Sequence, residues 1–319
     1  MRTRTGILTV TLIAAVTLAA CGQGGDGSGD AGDPASDDAF APRAAQVADV
    51  WRTLPPTGVW STGFVPLGGL TVKPTAGADG QPFDEATQTA LNAGFLVLEI
   101  DLPKNTGDKG EIAFPDGTPM NVGLVDAKTA WNDLAPADPA DCSTSPSDPD
   151  PGSSGGPDDS TSHKVPCSKL RVTGAELGTV PLQTSRGTAE VPAWLFSLEG
   201  LTQPIARVAV SPGDIDAVPQ VDVPEAGDLK GLVAVQDLVT VDGVTVTYRL
   251  GVGACDVDIK PLFLETDSAV VVAGSKTTTG EMCTDQLKLE PVTITLSKPL
   301  GARPLVSAHT GQPVTGSMF

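Results

Sequence analysis

Leu238-Val239-Thr240-Val241-Asp242-Gly243-Val244-Thr245-Val246-Thr247-Tyr248-Arg249-Leu250 decides the fold class. Val244, Val246, Tyr248 and Leu250 recur at every second position, so an extended chain places all four on one face. Asp242-Gly243 divides two runs rich in β-branched residues and suits the type I′ turn of a tight hairpin. The same texture extends in both directions. Ala269-Val270-Val271-Val272-Ala273 reads as a buried strand, and Val292, Ile294 and Leu296 alternate on another. Upstream, Gln183-Thr184, a Ser185-Arg186-Gly187 turn and residues 191–198 read as a second hairpin. Residues 111–114 and 120–124 flank Pro115-Asp116-Gly117 as a third. Residues 95–102 and 205–210 read as further strands. The 36 glycines and 28 prolines supply the punctuation that many short strands need.

Helical signals are few. Ala44, Val47, Val50, Trp51 and Leu54 recur at helical spacing and predict a helix over 41–54, stopped by Pro55-Pro56. Asp84 is placed to cap a short helix through Asn92, with Gly94 to end it, and Asp126 to cap another through Leu134. The fold class expected is mainly β: two sandwich-like β domains with a few short helices, after a signal peptide and a disordered tether. The partition expected is 1–20 signal peptide, 21–42 lipidated Cys and acidic tether, 43–212 first domain, 213–226 linker and 227–319 second domain. Residues 135–166, dense in Ser, Pro, Gly and Asp, are expected as a disordered insert in the first domain.

The first 21 residues set the address. Arg2 and Arg4 precede an apolar run at 6–17, and Ala19-Ala20 supply small residues before Cys21. The run is shorter than the roughly 20 apolar residues that span a bilayer. Leu18-Ala19-Ala20-Cys21 resembles the bacterial lipobox, whose cysteine sulfur takes a diacylglyceryl group before cleavage. That resemblance implies lipid attachment at Cys21 and a location on the outer face of the cytoplasmic membrane. Two acyl chains provide the stable anchoring that one chain lacks. Near the other end, Lys298-Pro299-Leu300-Gly301-Ala302-Arg303-Pro304-Leu305 with Thr310-Gly311 resembles the tail of actinobacterial-type envelope lipoproteins. So do Glu265-Thr266 between Cys255 and Cys283, and Thr184-Ser185-Arg186-Gly187 with residues 191–196. These motifs imply origin and location. They are turn and strand residues and imply no activity.

Setting Cys21 aside leaves Cys142, Cys167, Cys255 and Cys283, and an even number in an exported chain favours two disulfides. Three pairings are open. Neighbour pairing, Cys142–Cys167 and Cys255–Cys283, is favoured because it keeps each bridge within one domain. Each bridge would stabilise by about 3 kcal/mol in the chain-entropy description. No Cys-x-x-Cys spacing supports zinc. With 20 Lys+Arg against 39 Asp+Glu the chain lacks the basic footprint of a nucleic-acid binder.

No catalytic, metal or cofactor constellation is expected. There are two histidines, His163 in the insert and His309 beside Thr310-Gly311, and a catalytic triad needs a rigidly oriented one. Gly152, Ser154 and Gly156 match Gly-x-Ser-x-Gly literally, but without the strand and helix that a nucleophile elbow requires. Gly274-Ser275-Lys276-Thr277 lacks the earlier glycine of a phosphate loop and reads as an exposed hairpin turn. Asp148, Asp150, Asp158 and Asp159 miss the glycine of a calcium loop. Asp256 and Asp258, by alternation, share one wet strand face. Trp60, Trp131, Trp194 and Phe196 read as core. The function expected is a membrane-anchored, non-enzymatic binding or assembly module engaging an unknown envelope protein or ligand. The alternatives are a solute-binding transporter component and an envelope hydrolase built on carboxylates. The first predicts a ligand-sized cleft between two lobes, the second a pocket holding two acids.

Overall fold

The computed structural model describes residues 34–54, 58–77, 80–104, 109–135, 168–227, 229–279, 283–284 and 286–316, with backbone alone for 34–37. In chain order the first part contains α1 (Pro34–Thr53), α2 (Val59–Thr62), β1 (Thr71–Val72), α3 (Glu85–Ala93), β2 (Leu96–Leu98), β3 (Lys109–Ala113), β4 (Pro119–Gly123), α4 (Ala127–Leu134), β5 (Leu170–Thr184), β6 (Gly187–Leu198) and β7 (Ile205–Val208). The second part contains β8 (Leu232–Val233), β9 (Val235–Asp242), β10 (Thr245–Val252), β11 (Asp256–Glu265), β12 (Val270–Thr278), β13 (Lys288–Thr295) and β14 (Leu305–Ser307). The protein is mainly β, as its patterning predicts.

β6 is the spine of a seven-stranded sheet. β5 runs antiparallel along one side from Thr184↔Gly187 to Val172↔Leu198. The other side is shared, β7 pairing at residues 193–196 and β3 at Glu190. β4 extends β3, β1 extends β7, and β2 lies parallel to β5. α3 and α4 cover one face. Ala90 and Leu91 from α3 and Ala130 and Leu134 from α4 meet Val172, Trp194 and Phe196. Both helices begin where their aspartates predict: the Thr87 and Thr129 N–H groups donate to Asp84 and Asp126, each at 2.7 Å. Gly94 ends α3 at φ 73°, the left-handed conformation that a glycine accepts without a Cβ clash.

The second part is a sandwich. β13-β10-β9 forms one antiparallel sheet. In the other, β12 pairs with β11 on one side and with β14 and β8 on its other. Val246, Tyr248, Leu250 and Val252 of β10, with Val292 and Ile294 beside them on β13, face Val270 and Val272 of β12 across the core. The Tyr248 hydroxyl donates to the Ala273 carbonyl at 3.0 Å, so the one polar atom it buries is satisfied. The hairpin turn sits one residue further on than Asp-Gly implies. Asp242 pairs with Thr245, leaving Gly243-Val244 as the two-residue loop. Only Gly243 has positive φ, at 56°, which is the type II′ pattern rather than type I′.

β12 explains its unbroken apolar run. Val270 and Val272 face the sandwich core, while Ala269, Val271 and Ala273 face α1. α1 lays Phe40, Ala44, Val47, Ala48 and Trp51 on that outer face. The helix expected to open the first domain therefore packs on the second sheet system. It also starts at Pro34 rather than 41, with Pro42 inside it. An internal proline costs about 3 kcal/mol. Burial of Phe40 before it and Ala44 after it offsets that cost.

Residues 213–226, expected as a linker, are stitched to both sides. The Asp214 carboxylate accepts the Gly123 N–H at 2.6 Å, and Asp216 accepts the Phe64 N–H at 3.0 Å. The Gln312 amide bonds Val221 through both its N–H, at 2.7 Å, and its oxygen, at 3.0 Å. Residues 32–319 accordingly form one unit. No helix among the described residues is long and apolar enough to cross a membrane.

Candidate functional site

The seam between the sheet systems holds a concave apolar surface. The end of α1, α2, residues 219–221 and the loops at 268 and 302–304 frame a groove of about 510 Å³. Trp51, Leu54, Val59, Trp60, Pro219 and Val221 supply its apolar wall. The two indoles meet edge to face, with centroids 5.9 Å apart. The Trp51 N–H donates to Gly311 and the Trp60 N–H to Ala302, both at 2.9 Å, so each ring also pins a C-terminal loop. A second groove of about 660 Å³ continues the seam past Pro66, Leu70, Ile215, Val218 and Pro313.

Three arginines hold this surface in shape. Arg303 is enclosed in the 298–303 turn. It donates from Nη1 to Glu265 at 2.8 Å and the Thr266 carbonyl at 2.9 Å, and from Nη2 to the Lys298 and Pro299 carbonyls, each at 3.0 Å. The other Glu265 oxygen accepts the Ser297 N–H at 2.7 Å. Burial pushes the Glu265 carboxyl up, but the Ser297 and Arg303 donors outweigh it and hold it below the usual range. Arg43 reaches from α1 to the carbonyls of Ala308 at 2.7 Å, Pro224 at 2.7 Å and His309 at 3.3 Å. Arg186, at the tip of the β5–β6 hairpin, lies 3.6 Å over the Phe114 ring and bonds Asp116 at 2.7 Å and Thr118. Its neighbour Ser185 donates to the Trp60 carbonyl at 2.7 Å.

The Arg186 clamp is acid-sensitive. The Thr118 hydroxyl, the Arg186 guanidinium and the Thr118 N–H, in that order, hold the Asp116 carboxyl at about 2, against slight burial. Its contribution is therefore full above the ordinary Asp value of about 3.9 and is lost as pH falls from about 4 through 2. Asp116 is 46% exposed, so solvent screening keeps the contribution small. Asp116→Asn is expected to give a shallower loss of melting temperature between pH 4 and 2 than the parent. Equal acid slopes in melts followed by circular dichroism would contradict the assignment.

Several sequence readings meet the structure here. Cys255 and Cys283 form a disulfide, Cα–Cα 5.8 Å, as the neighbour pairing expects. Cys21, Cys142, Cys167, His163, the serine of the 152–156 motif and the four insert aspartates lie outside the described residues. Gly274-Ser275-Lys276-Thr277 is not an exposed turn. It lies within β12, with Ser275 buried against β8, because the strand continues to Thr278. Asp256 and Asp258 do not share a wet face. A bulge between Val257 and Lys260 breaks the alternation and leaves Asp258 exposed at φ 51°. Asp256 is 3% exposed and accepts from Lys276 at 2.7 Å, Thr278 at 2.7 Å and the Gly253 N–H at 2.6 Å. Trp60, in α2, and Phe196 are buried as the core reading expects, Trp131 is partly buried, and Trp194 is fully enclosed with its N–H on the Val125 carbonyl at 3.1 Å. His309 is partly buried, and its Nδ1 has no hydrogen-bond partner.

The arginine clamps escaped sequence reading, although two of the three lie in motifs singled out there. The signal of those two was an arginine inside a turn with an acid far away in the chain, whereas Arg43 lies in α1 and binds carbonyls. Among the described residues no three His, Cys, Asp or Glu side chains gather as metal ligands. Comparison with protein-family models, curated proteins and solved structures finds no match to the chain.

Proposed function

We propose that the chain is a lipid-anchored extracytoplasmic module, tethered through Cys21 to the outer face of the cytoplasmic membrane, that engages an envelope partner along its apolar seam. The observation that carries the reading is Leu18-Ala19-Ala20-Cys21 directly after a basic and apolar leader. The Cys255–Cys283 bridge supports it, because structural disulfides belong to oxidising compartments. The buried Asp256 and Glu265 support the non-enzymatic part. Both are saturated by structural donors and held ionised, which leaves neither poised to move a proton.

The seam groove favours a second reading, delivery of a small apolar ligand. Its volume of about 510 Å³ falls within the roughly 300–1,000 Å³ of ligand pockets. Extraction of a stoichiometric apolar compound from protein purified out of membranes would favour ligand delivery, and crosslinking to one protein in intact cells would favour assembly. The anchor itself is tested by Cys21→Ala. The variant is expected in the soluble fraction after cell lysis, with the parent in the membrane fraction. Membrane retention of the variant at the parental level would sink the reading.

A further inference from the structure

We propose that α1 is an acid-releasable strap, held on the second sheet system by a latch at residues 308–311 that opens when His309 takes a proton. Two polar anchors from α1 converge on this one short segment. Arg43 Nε donates to the Ala308 carbonyl at 2.7 Å and Nη2 to the His309 carbonyl at 3.3 Å. The Trp51 N–H, two turns further along the helix, donates to the Gly311 carbonyl at 2.9 Å. The segment is in turn fixed to the sheet, Ala308 N–H bonding Val272 at 2.9 Å and Gly311 N–H bonding Ser307 at 2.8 Å. His309 thus sits between the two points where the strap is fastened.

Its side chain suits only the neutral state. Nδ1 is buried and has no partner among the described residues, so a proton placed there finds no acceptor among them. Arg43 from α1 is the charge acting on the ring. The β8 side contributes a hydrogen bond to the Leu232 backbone, and among the described residues no carboxylate contributes to the shift. Burial first, and Arg43 after it, hold the imidazole below its ordinary value, against the Leu232 bond.

The sign follows. Above about pH 6.5 the ring is neutral whether α1 is docked or free, and docking does not vary. Below that value the free form binds a proton more readily than the docked form does. Docking then weakens by up to about tenfold per pH unit. Release uncovers Ala269, Val271, Ala273 and Val306, which α1 now covers. On the anchored reading it also lengthens the tether. The span from Cys21 to Pro34 reaches at most about 45 Å, and that from Cys21 to Leu54 about 115 Å. The latch does not depend on the anchor, so it is testable whether or not Cys21 carries lipid.

Amide exchange of the full chain, corrected for intrinsic rates, reads the latch directly. At pH 5.5 the opening of residues 38–53 is expected to be more frequent than at pH 7.5, by up to about tenfold, with the β5–β6 hairpin unchanged. His309→Gln should make the α1 exchange equal at the two pH values. Exchange of α1 that does not vary with pH in the parent, or that varies equally in His309→Gln, overturns the proposal. Should His309→Gln fail to fold, His163→Gln leaves one imidazole for an NMR titration. Its midpoint is expected to coincide with that of α1 opening, and titration with α1 still protected overturns the proposal.

Discussion

Arg303→Ala is expected to lower the unfolding free energy by about 3–5 kcal/mol, the scale on which a buried ion pair fails when one partner is removed. The side chains of Arg303 and Glu265 are 9% and 15% exposed. The guanidinium has given all its directions to the fold: Glu265 and Thr266 on one side, Lys298 and Pro299 on another, and Leu300 through Nε at 3.3 Å. Truncation strips the Thr266, Lys298 and Pro299 carbonyls of their side-chain donor and leaves the Glu265 charge with the Ser297 N–H as its remaining donor. Lysine cannot restore the set, because one ammonium cannot fan out as a planar fork does. Arg303→Lys should recover well under half of the loss. Urea denaturation reads both, through a shifted midpoint at constant slope. A loss below about 1 kcal/mol for Arg303→Ala would show that the turn holds without the clamp.

Trp194→Ala is expected to cost a similar amount, about 3–5 kcal/mol, through a different mechanism. Trp194 is fully buried on the spine strand β6, among Val172, Phe196, Ala130 and Leu134. It is bounded by α3 and α4 on a sheet whose neighbours are fixed by pairing on both sides. Such a wall cannot collapse into the void, so the cavity contribution is not relieved. The Val125 carbonyl also loses its indole donor. Trp194→Phe keeps most of the volume and should lose less than half as much. If the alanine variant lost under about 2 kcal/mol, the helices would have closed over the site.

How far the sequence discloses this fold depends on the range of the interaction. Alternation over 244–250, the Asp84 and Asp126 caps and the Gly94 stop act within a few residues, and each appears where the sequence places it. The bulge at Asp258 and the strand assignment of residues 274–277 depend on pairing across β11 and β12, which no local pattern encodes. Pro42 runs against local propensity: a proline inside a helix removes a backbone hydrogen bond, and here tertiary burial on both sides keeps the helix intact. The meeting of Trp51 with Trp60 was hidden for the same reason, since both rings are fastened to carbonyls more than 200 residues away. Lys298–Leu305 and Thr184–Gly187 stood out in sequence without stating why. The structure gives the reason: each surrounds an arginine that ties a turn to a distant acid, Glu265 in one case and Asp116 in the other.

The central claim is that Cys21 is the lipidated first residue of the mature protein. Intact-mass measurement of protein purified from its native membranes tests it in one spectrum. The account predicts a chain that begins at Cys21 and carries a diacylglyceryl group on its sulfur, with the mass removed by alkaline ester cleavage matching two acyl chains. A chain that retains Met1, or begins elsewhere with an unmodified Cys21, would contradict it.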